Sequence, residues 1–362
     1  MQERTNLTII LTLKDRVPFT HRWMRYMNDM KCPYKILIAD GGKDQALEDH
    51  LRNPNNYPAL NYEYIHYPYD AVIEDYYTKF ENVISLVKTQ YLLLADNDDF
   101  YLLDRIPEIL AFLNEHEDYV GARGQLVNLT LFDKTGSSKG LVMGSRYFAV
   151  TNHSPSIDYD SPYDRIEFLC KDMSMFDYYA NWYCVFRSVS FHQVWQSLIK
   201  LPIKEVIVTE ILTHVLMVMK GKIKIMSFPF YIRQSNTSMW GDTLVIGNEF
   251  LERCLVSNSL SEFGLAIDQF TTVKSKEERD RVLRAIAVWL EVFVANIYFE
   301  RVKRTKSIMF RVREMIKRNP IFASWSANIY YRSVHLLLPI RKRKLILLNS
   351  IEPYILVKKR FK

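Results

Sequence analysis

The chain has 362 residues, of which 48% are hydrophobic and 25% charged, a composition that indicates a folded globular protein with room for a sizeable core. Its four cysteines are scattered without metal-ligand spacing, which excludes a zinc finger or a Cys-x-x-Cys redox pair and favours a reducing compartment. The sequence contains no run of about 18 apolar residues, so it predicts no membrane-spanning helix and a cytoplasmic location.

The net charge of +7 conceals two parts of opposite sign. Residues 301–362 contain 17 Lys and Arg against two acids, so residues 1–300 are net acidic. Within residues 331–362 basic clusters alternate with apolar stretches. This pattern is typical of a helix packed on the body, or of a peripheral anchor on an anionic membrane surface. A net acidic body argues against nucleic acid as a partner.

The first 130 residues alternate between continuous apolar runs and helical spacing. The predicted strands are Leu7–Leu13, Tyr34–Ala39, Tyr62–Tyr67 and Tyr91–Ala95, and the predicted helices are Phe19–Met30, Ile73–Val87 and Leu103–His116. Apolar strands that alternate with helices indicate an α/β fold with a parallel sheet covered on both faces. Ligands of such sheets bind beyond the carboxyl ends of the strands.

The pattern loosens between Phe132 and Asp164, where Gly, Ser, Pro and Asn collect, so we expect loops and a flap over the site. An apolar helix then opens at Thr209-Glu210, with Thr209 as its N-cap, and stops at Gly221. The strand Lys222–Phe228 follows it. The spacing also predicts helices at Lys276–Phe299 and Ser307–Lys317.

The sharpest polar cluster is Asp96-Asn97-Asp98-Asp99, directly after the predicted strand Tyr91–Ala95. Three carboxylates within four residues repel one another, and a divalent cation such as Mg²⁺ or Mn²⁺ would offset that repulsion and bridge to phosphate oxygens. The alternative is an acidic loop that caps the next helix. Two further polar clusters, Thr12–Arg16 and Asp40–Asp44, follow the first two strands and would reach the same edge of the sheet.

In order and spacing these motifs resemble those of family 2-type glycosyltransferases of the GT-A fold, in particular a bacterial group of these enzymes. There, successive strands end in Thr-x-Asn-Arg, Asp-x-Gly-Ser-x-Asp and Asp-x-Asp-Asp, and a later helix begins Glu-Asp and stops at Gly. The matching segments are Thr12–Arg16, Asp40–Asp44, Asp96–Asp99 and Thr209–Gly221. The chain departs from the pattern twice, because Glu210 stands in place of the family's Asp and Thr209 in place of its Glu.

The resemblance implies a Rossmann-like, mostly parallel GT-A sheet with helices on both faces and a C-terminal helical extension. It implies a nucleotide-sugar-binding half at residues 1–130 and an acceptor-binding half of the same domain at 131–240. Residues 241–362 would then form a helical C-terminal region with the basic tail.

The resemblance also implies a hexosyltransferase that moves a sugar, with inversion, from a nucleotide sugar to a glycan or lipid-linked glycan. Such a reaction belongs to polysaccharide biosynthesis, with the enzyme peripheral on the inner face of the cytoplasmic membrane. Glu210 would be the general base, and Asp98, with Asp96 and Asp99, would hold Mn²⁺ or Mg²⁺.

The candidate donor-binding residues are Thr12, Lys14, Asp15, Arg16, Asp40, Gly41, Lys79, Asp96, Asn97 and Arg233. For the acceptor, Asn181, Trp182 and Trp240 are candidates for contact with a sugar ring, with core packing as the alternative.

Two other functions remain open at this point. A sugar-phosphate nucleotidyltransferase also combines an α/β sheet with metal-binding aspartates, but we expect it to carry a glycine-rich basic loop after the first strand, and Thr12–Arg16 contains no glycine. A non-catalytic protein that binds nucleotide sugars or membranes would keep the binding site without turnover. Release of nucleotide from a nucleotide sugar in the presence of metal distinguishes these cases.

Overall fold

The computed structural model describes residues 6–130, 147–150, 155–171, 181–201, 206–234 and 276–286. In these ranges the strands are β1 (Leu7–Leu13), β2 (Lys35–Asp40), β3 (Tyr62–His66), β4 (Tyr91–Ala95), β5 (Phe100–Tyr101), β6 (Tyr119–Thr130), β7 (Tyr147–Val150), β8 (Val185–Arg187) and β9 (Lys222–Gln234). The helices are α1 (Val17–Asp29), α2 (Gln45–Arg52), α3 (Ile73–Ser85), α4 (Ile106–Glu115), α5 (Pro162–Lys171), α6 (Ser188–Leu198) and α7 (Val206–Lys220), with a further helix at 276–286.

All of these strands belong to one mixed sheet in the order β3-β2-β1-β4-β8-β6-β9-β5, and β7 pairs with β6. Strands β1 to β4 run parallel, whereas β8 is antiparallel to both β4 and β6. In the register of the sheet Leu13 lies beside Asp40, and Leu11 lies beside Ala95. The carboxyl ends of β1, β2 and β4 therefore meet at one edge, and the loops that follow them share a small volume.

The central strands read as unbroken apolar runs because both faces of the sheet are covered. Alternate residues of one strand enter different cores: Ile10 belongs to one apolar cluster, whereas Ile9 and Leu11 belong to the other. The first core is closed by α3, α5, α6, α7 and helix 276–286, and the second by α1, α2 and α4. The sequence-based expectation of an α/β fold with helices on both faces is confirmed.

The predicted bounds of β1 and β4 are confirmed, and those of β2 and β3 differ by one residue. The sequence did not predict α2, α5 or α6. The loop region expected at 132–164 ends in regular structure, because Ile157 bridges to Ile223 and α5 begins at Pro162. Strand β7 also lies within the region expected to be loops, and the parts of the expected flap at 132–146 and 151–154 lie outside the described ranges.

The N-cap predicted at Thr209 is wrong, because α7 already begins at Val206. The Thr209 hydroxyl instead accepts a hydrogen bond from the Tyr77 hydroxyl (2.7 Å), which ties α7 to α3. The predicted stop at Gly221 is confirmed. A Cβ at that position would lie 2.8 Å from the carbonyl oxygen of Asp118, so a side chain would collide with backbone where the chain turns into β9.

Helix 276–286 is the described portion of the C-terminal region, and it is helical as predicted. The remainder of the helices predicted at 276–299 and 307–317, the basic segment 331–362 and Trp240 lie outside the described residues. The division at residues 130 and 240 stays a prediction. None of the helices described is both long enough and apolar enough to cross a bilayer.

Candidate functional site

The loop that follows β4 brings three carboxylates together. One oxygen of each of Asp96, Asp98 and Asp99 lies within 4.8 Å of the other two. Asp98 and Asp99 are buried, and burial together with the negative charge of Asp98 raises the pKa of Asp96 and raises that of Asp99 well above its usual range. An all-oxygen set of this kind fits a hard divalent cation, and such an ion would offset the repulsion that raises these pKa values.

Asp98 is held by two arginines of the β1–α1 region. Arg16 forms an ion pair with its carboxylate (Nη2 to Oδ2, 2.9 Å), and Arg22 donates to its main-chain oxygen (2.8 Å). Both guanidinium groups lie over the ring of Phe19, at 4.4 and 5.0 Å from its centroid. The position of Asp98 relative to β1 is therefore fixed by charge-assisted hydrogen bonds.

Asp96 and Asp99 are held by tyrosines that are distant in sequence. The Tyr183 hydroxyl donates to Asp96 Oδ2, and the Tyr231 hydroxyl donates to Asp99 Oδ2. The second oxygen of Asp99 accepts the backbone N–H of Gln234 (2.7 Å). Both oxygens of Asp99 thus have donors, whereas Tyr183 contacts a single oxygen of Asp96.

The turn after β1 has an unusual backbone. Asp15 and Arg16 have φ angles of 56° and 59°, in the left-handed region that residues other than glycine rarely occupy. Two consecutive residues of this kind persist only when their surroundings hold them. Here the backbone N–H of Lys43 donates to Asp15 (3.4 Å), and Arg16 bonds to Asp98. The turn thereby directs Arg16 at Asp98, and the donor-binding role that the resemblance implied for Arg16 stays a prediction.

The end of β2 forms a second wall of the same edge. Asp40 is buried; its carboxylate accepts the backbone N–H of Gly42 (2.8 Å) and the hydroxyl of Tyr64 (2.9 Å). A Cβ on Gly41 would lie 2.4 Å from the Asp70 carboxyl carbon, so this position has room for glycine alone. The Asp-Gly-Gly motif is therefore packed against the loop that follows β3.

Lys79, a candidate donor-binding residue, is buried beneath this edge. Its ammonium donates to the carbonyl of Leu13 (2.8 Å) and forms an ion pair with Asp70, which is equally buried. Lys14, another candidate, donates to the main-chain oxygen of Asp70. Burial places the Lys79 ammonium below the strand ends, so the geometry supports a role in holding the loops rather than direct contact with a donor.

Glu210 lies on α7, half-buried, where it is influenced by Arg233 and Asp96. Burial raises the pKa of Glu210 to about 7, with the positive charge of Arg233 opposing this rise and the negative charge of Asp96 adding to it. Tyr76 joins the group: its hydroxyl bonds to the side chain of Thr12, and burial and the charges of Asp96 and Glu210 raise its pKa. A titratable carboxylate near neutral pH therefore lies beside the acidic cluster.

Three candidates have partners in other parts of the protein. Asn97 is buried and donates to the Thr20 hydroxyl on α1 (3.0 Å), and Asn181 is fully buried and accepts from Arg123 (3.1 Å). Trp182 is partly buried and packs against the core, with its ring 5.9 Å from that of Phe80. These contacts favour the core-packing alternative for Asn181 and Trp182, and an acceptor-binding role for either residue stays a prediction.

Sequence reasoning missed Tyr183, Tyr231, Arg22 and Asp70. Sequence analysis selects Asn181 and Trp182 but not the adjacent Tyr183, and it selects Arg233 but not Tyr231, two residues earlier. Only the pairing of β9 with β6, and of β8 with β4, shows that the two tyrosines reach the end of β4.

Among solved structures, this fold is similar to that of TarS (residues 1–349) from S. aureus in complex with UDP-GlcNAc. The TM-score is 0.53 at 13% identity, and the match covers 88% of this chain and 80% of that one. At this identity the likeness shows the fold alone, which is the α/β GT-A fold. No family model and no curated protein sequence matches the chain, so the narrower bacterial group is not supported.

A second solved structure is the mannosyltransferase PcManGT from Pyrobaculum calidifontis in complex with GDP-Man and Mn²⁺. It matches with a TM-score of 0.44 at 8% identity, over 90% of this chain and 84% of that one. A likeness at this level carries no inference about the site of the present chain.

Replacing Lys79 by Met should lower the free energy of unfolding by about 3–5 kcal/mol, because Asp70 would be left buried without its cation. Urea unfolding measures this change. The double variant Asp70→Leu, Lys79→Met should recover most of the loss. The control Lys35→Met removes an exposed ion pair with Glu63 and should cost less than about 1 kcal/mol. Equal losses for Lys79→Met and Lys35→Met would contradict the structural role of the buried pair.

Proposed function

We propose that this protein is a metal-dependent glycosyltransferase that moves a sugar from a nucleotide-sugar donor to an acceptor hydroxyl, with inversion and with Glu210 as general base. The observation that carries the proposal is the convergence of Glu210, whose pKa lies near 7, with a cluster of three carboxylates fit for a divalent cation. The GT-A fold supports it, since TarS, a solved structure of similar fold, is in complex with the nucleotide sugar UDP-GlcNAc.

In this proposal the acceptor hydroxyl attacks the anomeric carbon while Glu210 removes its proton. The bond between that carbon and the phosphate oxygen breaks, and the nucleoside diphosphate leaves with the electron pair. A base whose pKa is close to the ambient pH suits this role, because it is substantially ionised yet basic enough to accept the proton. Arg233, whose positive charge acts on Glu210 and on Asp96 and Asp99, would contact the departing phosphates.

Asp98 and Asp96 would hold Mn²⁺ or Mg²⁺. Asp99 would add a further negative charge near the ion without being its ligand. The ion would neutralise charge on the diphosphate as it leaves. On the donor side Asp40, Gly41, Lys14 and the turn at Asp15-Arg16 would surround the nucleoside. This assignment rests on their position at one edge of the sheet together with the motif resemblance.

The acceptor is less defined. A glycan or lipid-linked glycan as acceptor, and peripheral attachment to an anionic membrane through 331–362, stay predictions from the sequence.

The nucleotidyltransferase alternative gains no support from the structure, since the turn after β1 carries Asp15 and Arg16 in the left-handed conformation and contains no glycine. The identity of the sugar and of the nucleotide is not assigned.

Replacing Asp98 by Asn should abolish the stabilisation that a nucleoside diphosphate gives in the presence of Mn²⁺, because a neutral amide is a poorer ligand for a hard cation. The measurement is the melting temperature with UDP or GDP, with and without Mn²⁺. Asp44→Asn is the matched control: Asp44 caps α2 at the same edge (2.8 Å to the N–H of Leu47), and Asn caps equally well. A folded Asp98→Asn protein with unchanged Mn²⁺ dependence would refute the metal assignment.

Replacing Glu210 by Gln should lower kcat by about 10²–10⁴ while donor affinity stays nearly unchanged, because the amide keeps the shape but cannot accept a proton. Wild-type kcat/KM should fall as the pH drops through about 7, where Glu210 becomes protonated, and the variant should lack this limb. Steady-state kinetics at pH values from about 5 to 9, over a range of substrate concentrations, measure both kcat and the acid limb of the kcat/KM profile.

The matched control is Glu81→Gln. Glu81 is another partly buried glutamate whose pKa is raised by burial, but it lies on α3 beside His192. Its replacement should leave kcat and the acid limb in place. If Glu210→Gln retains wild-type kcat, or if its acid limb persists, the base is another residue.

A further inference from the structure

Two tyrosines from separate parts of the chain stack beneath the acidic cluster. Tyr183 belongs to the short turn Asn181–Tyr183 before β8, and Tyr231 belongs to β9. Their ring centroids are 4.0 Å apart with an angle of 21° between the planes, and Tyr101 packs against the second ring at 5.3 Å. Tyr231 is fully buried and Tyr183 nearly so, which leaves the two rings little freedom to rotate.

The hydroxyls of this stacked pair point at two different carboxylates. Tyr183 donates to Asp96 Oδ2, and Tyr231 donates to Asp99 Oδ2. Each bond fixes the plane of a carboxylate. The two aspartates are three residues apart on one loop, so the stack sets their orientation relative to each other as well as to the sheet.

The chemistry of the hydrogen-bond donor to each carboxylate matters as much as its position. A phenol satisfies one carboxylate oxygen without adding positive charge, so the carboxylate keeps its full attraction for a cation. The ion pair of Arg16 with Asp98 differs in this respect, since a guanidinium partly neutralises the carboxylate and repels a metal ion. Groups that orient metal ligands in this way tune metal affinity, and their loss typically costs about 10–100-fold in affinity.

We propose that Tyr183 and Tyr231 are positioning residues for the divalent cation. The stacked pair holds Asp96 and Asp99 so that Asp96 and Asp98 bind the ion, while Asp99 contributes negative charge without being a ligand. The choice of Asp96 over Asp99 as a ligand follows from their partners, whereas Asp98 is assigned by the motif resemblance. Asp99 has a donor on each oxygen, Tyr231 and the N–H of Gln234, whereas Tyr183 engages one oxygen of Asp96 and leaves Oδ1 to the ion. This inference rests on the metal-dependent function proposed above.

The test is the dissociation constant for Mn²⁺, measured from the electron paramagnetic resonance signal of free Mn²⁺ on the purified full-length chain, alone and with UDP or GDP. Tyr183→Phe and Tyr231→Phe keep the stack and remove the hydroxyls, so the dissociation constant should rise about 10-fold or more in each. Tyr62→Phe is the matched control, because its hydroxyl donates to the carbonyl of Leu51 (2.8 Å), away from the aspartates. Its dissociation constant should equal that of the wild type.

Melting temperatures in EDTA separate metal affinity from packing. A lower melting temperature with an unchanged Mn²⁺ dissociation constant in both Phe variants would overturn the positioning role and leave the metal site intact. If Tyr231→Phe does not fold, Tyr183→Phe decides the question, since Tyr183 is the less buried of the two. Absence of Mn²⁺ and Mg²⁺ binding to the wild type itself would instead refute the metal-dependent function, and this inference with it.

Discussion

The repulsion among three carboxylates at the end of β4 is the constraint on which the surrounding structure depends. Two unit charges less than 5 Å apart repel by about 3–4 kcal/mol at an effective dielectric constant near 20, so the cluster needs compensation. The protein supplies part of it through Arg16, Arg22 and Arg233. A divalent cation would supply the rest, and the elements around the loop are arranged to keep the carboxylates in reach of one.

The same constraint accounts for two costly local features. The left-handed turn at Asp15 and Arg16 carries a guanidinium back over the sheet edge to Asp98. The long β9 continues past Pro229 to Gln234, with shifts in its register against β6, and so delivers both a phenol and a backbone N–H to Asp99. Both features place donors that a shorter or more regular connection would not bring to the end of β4.

Helix α7, which carries Glu210, is fixed at both of its ends. The Tyr77 hydroxyl contacts Thr209 near the first turns, and the guanidinium of Arg165 donates to the carbonyls of Val218 (2.6 Å) and Met219 (3.2 Å) at the last turn. These carbonyls have no partner within the helix, so a buried arginine is an effective C-terminal cap. The carboxylate of Glu210 is thereby held at a fixed place relative to the end of β4.

Much of the fold was predictable because β1 and β4 are continuous apolar runs with polar clusters behind them, and the carboxylate cluster was predictable because its members are adjacent in sequence. Tyr183 and Tyr231 were not, since they lie 87 and 132 residues from the aspartates they contact, and only the strand order brings them there. The role of Trp182 could not be decided from the sequence, because an aromatic ring serves equally for core packing or for a sugar contact; in the structure it is partly buried and packs against the core.

The measurement that tests the central claim most directly is release of nucleoside diphosphate from a panel of UDP-, GDP- and dTDP-sugars, with Mn²⁺, with Mg²⁺ and with EDTA. If the carboxylate cluster and Glu210 form a glycosyltransferase site, at least one donor will be turned over with metal, slow hydrolysis included, and chelation will stop it. Inverted configuration in the product, determined by NMR, will accompany this turnover. Binding of a nucleotide sugar without any turnover, with or without metal, would contradict the account and leave a binding protein of the same fold.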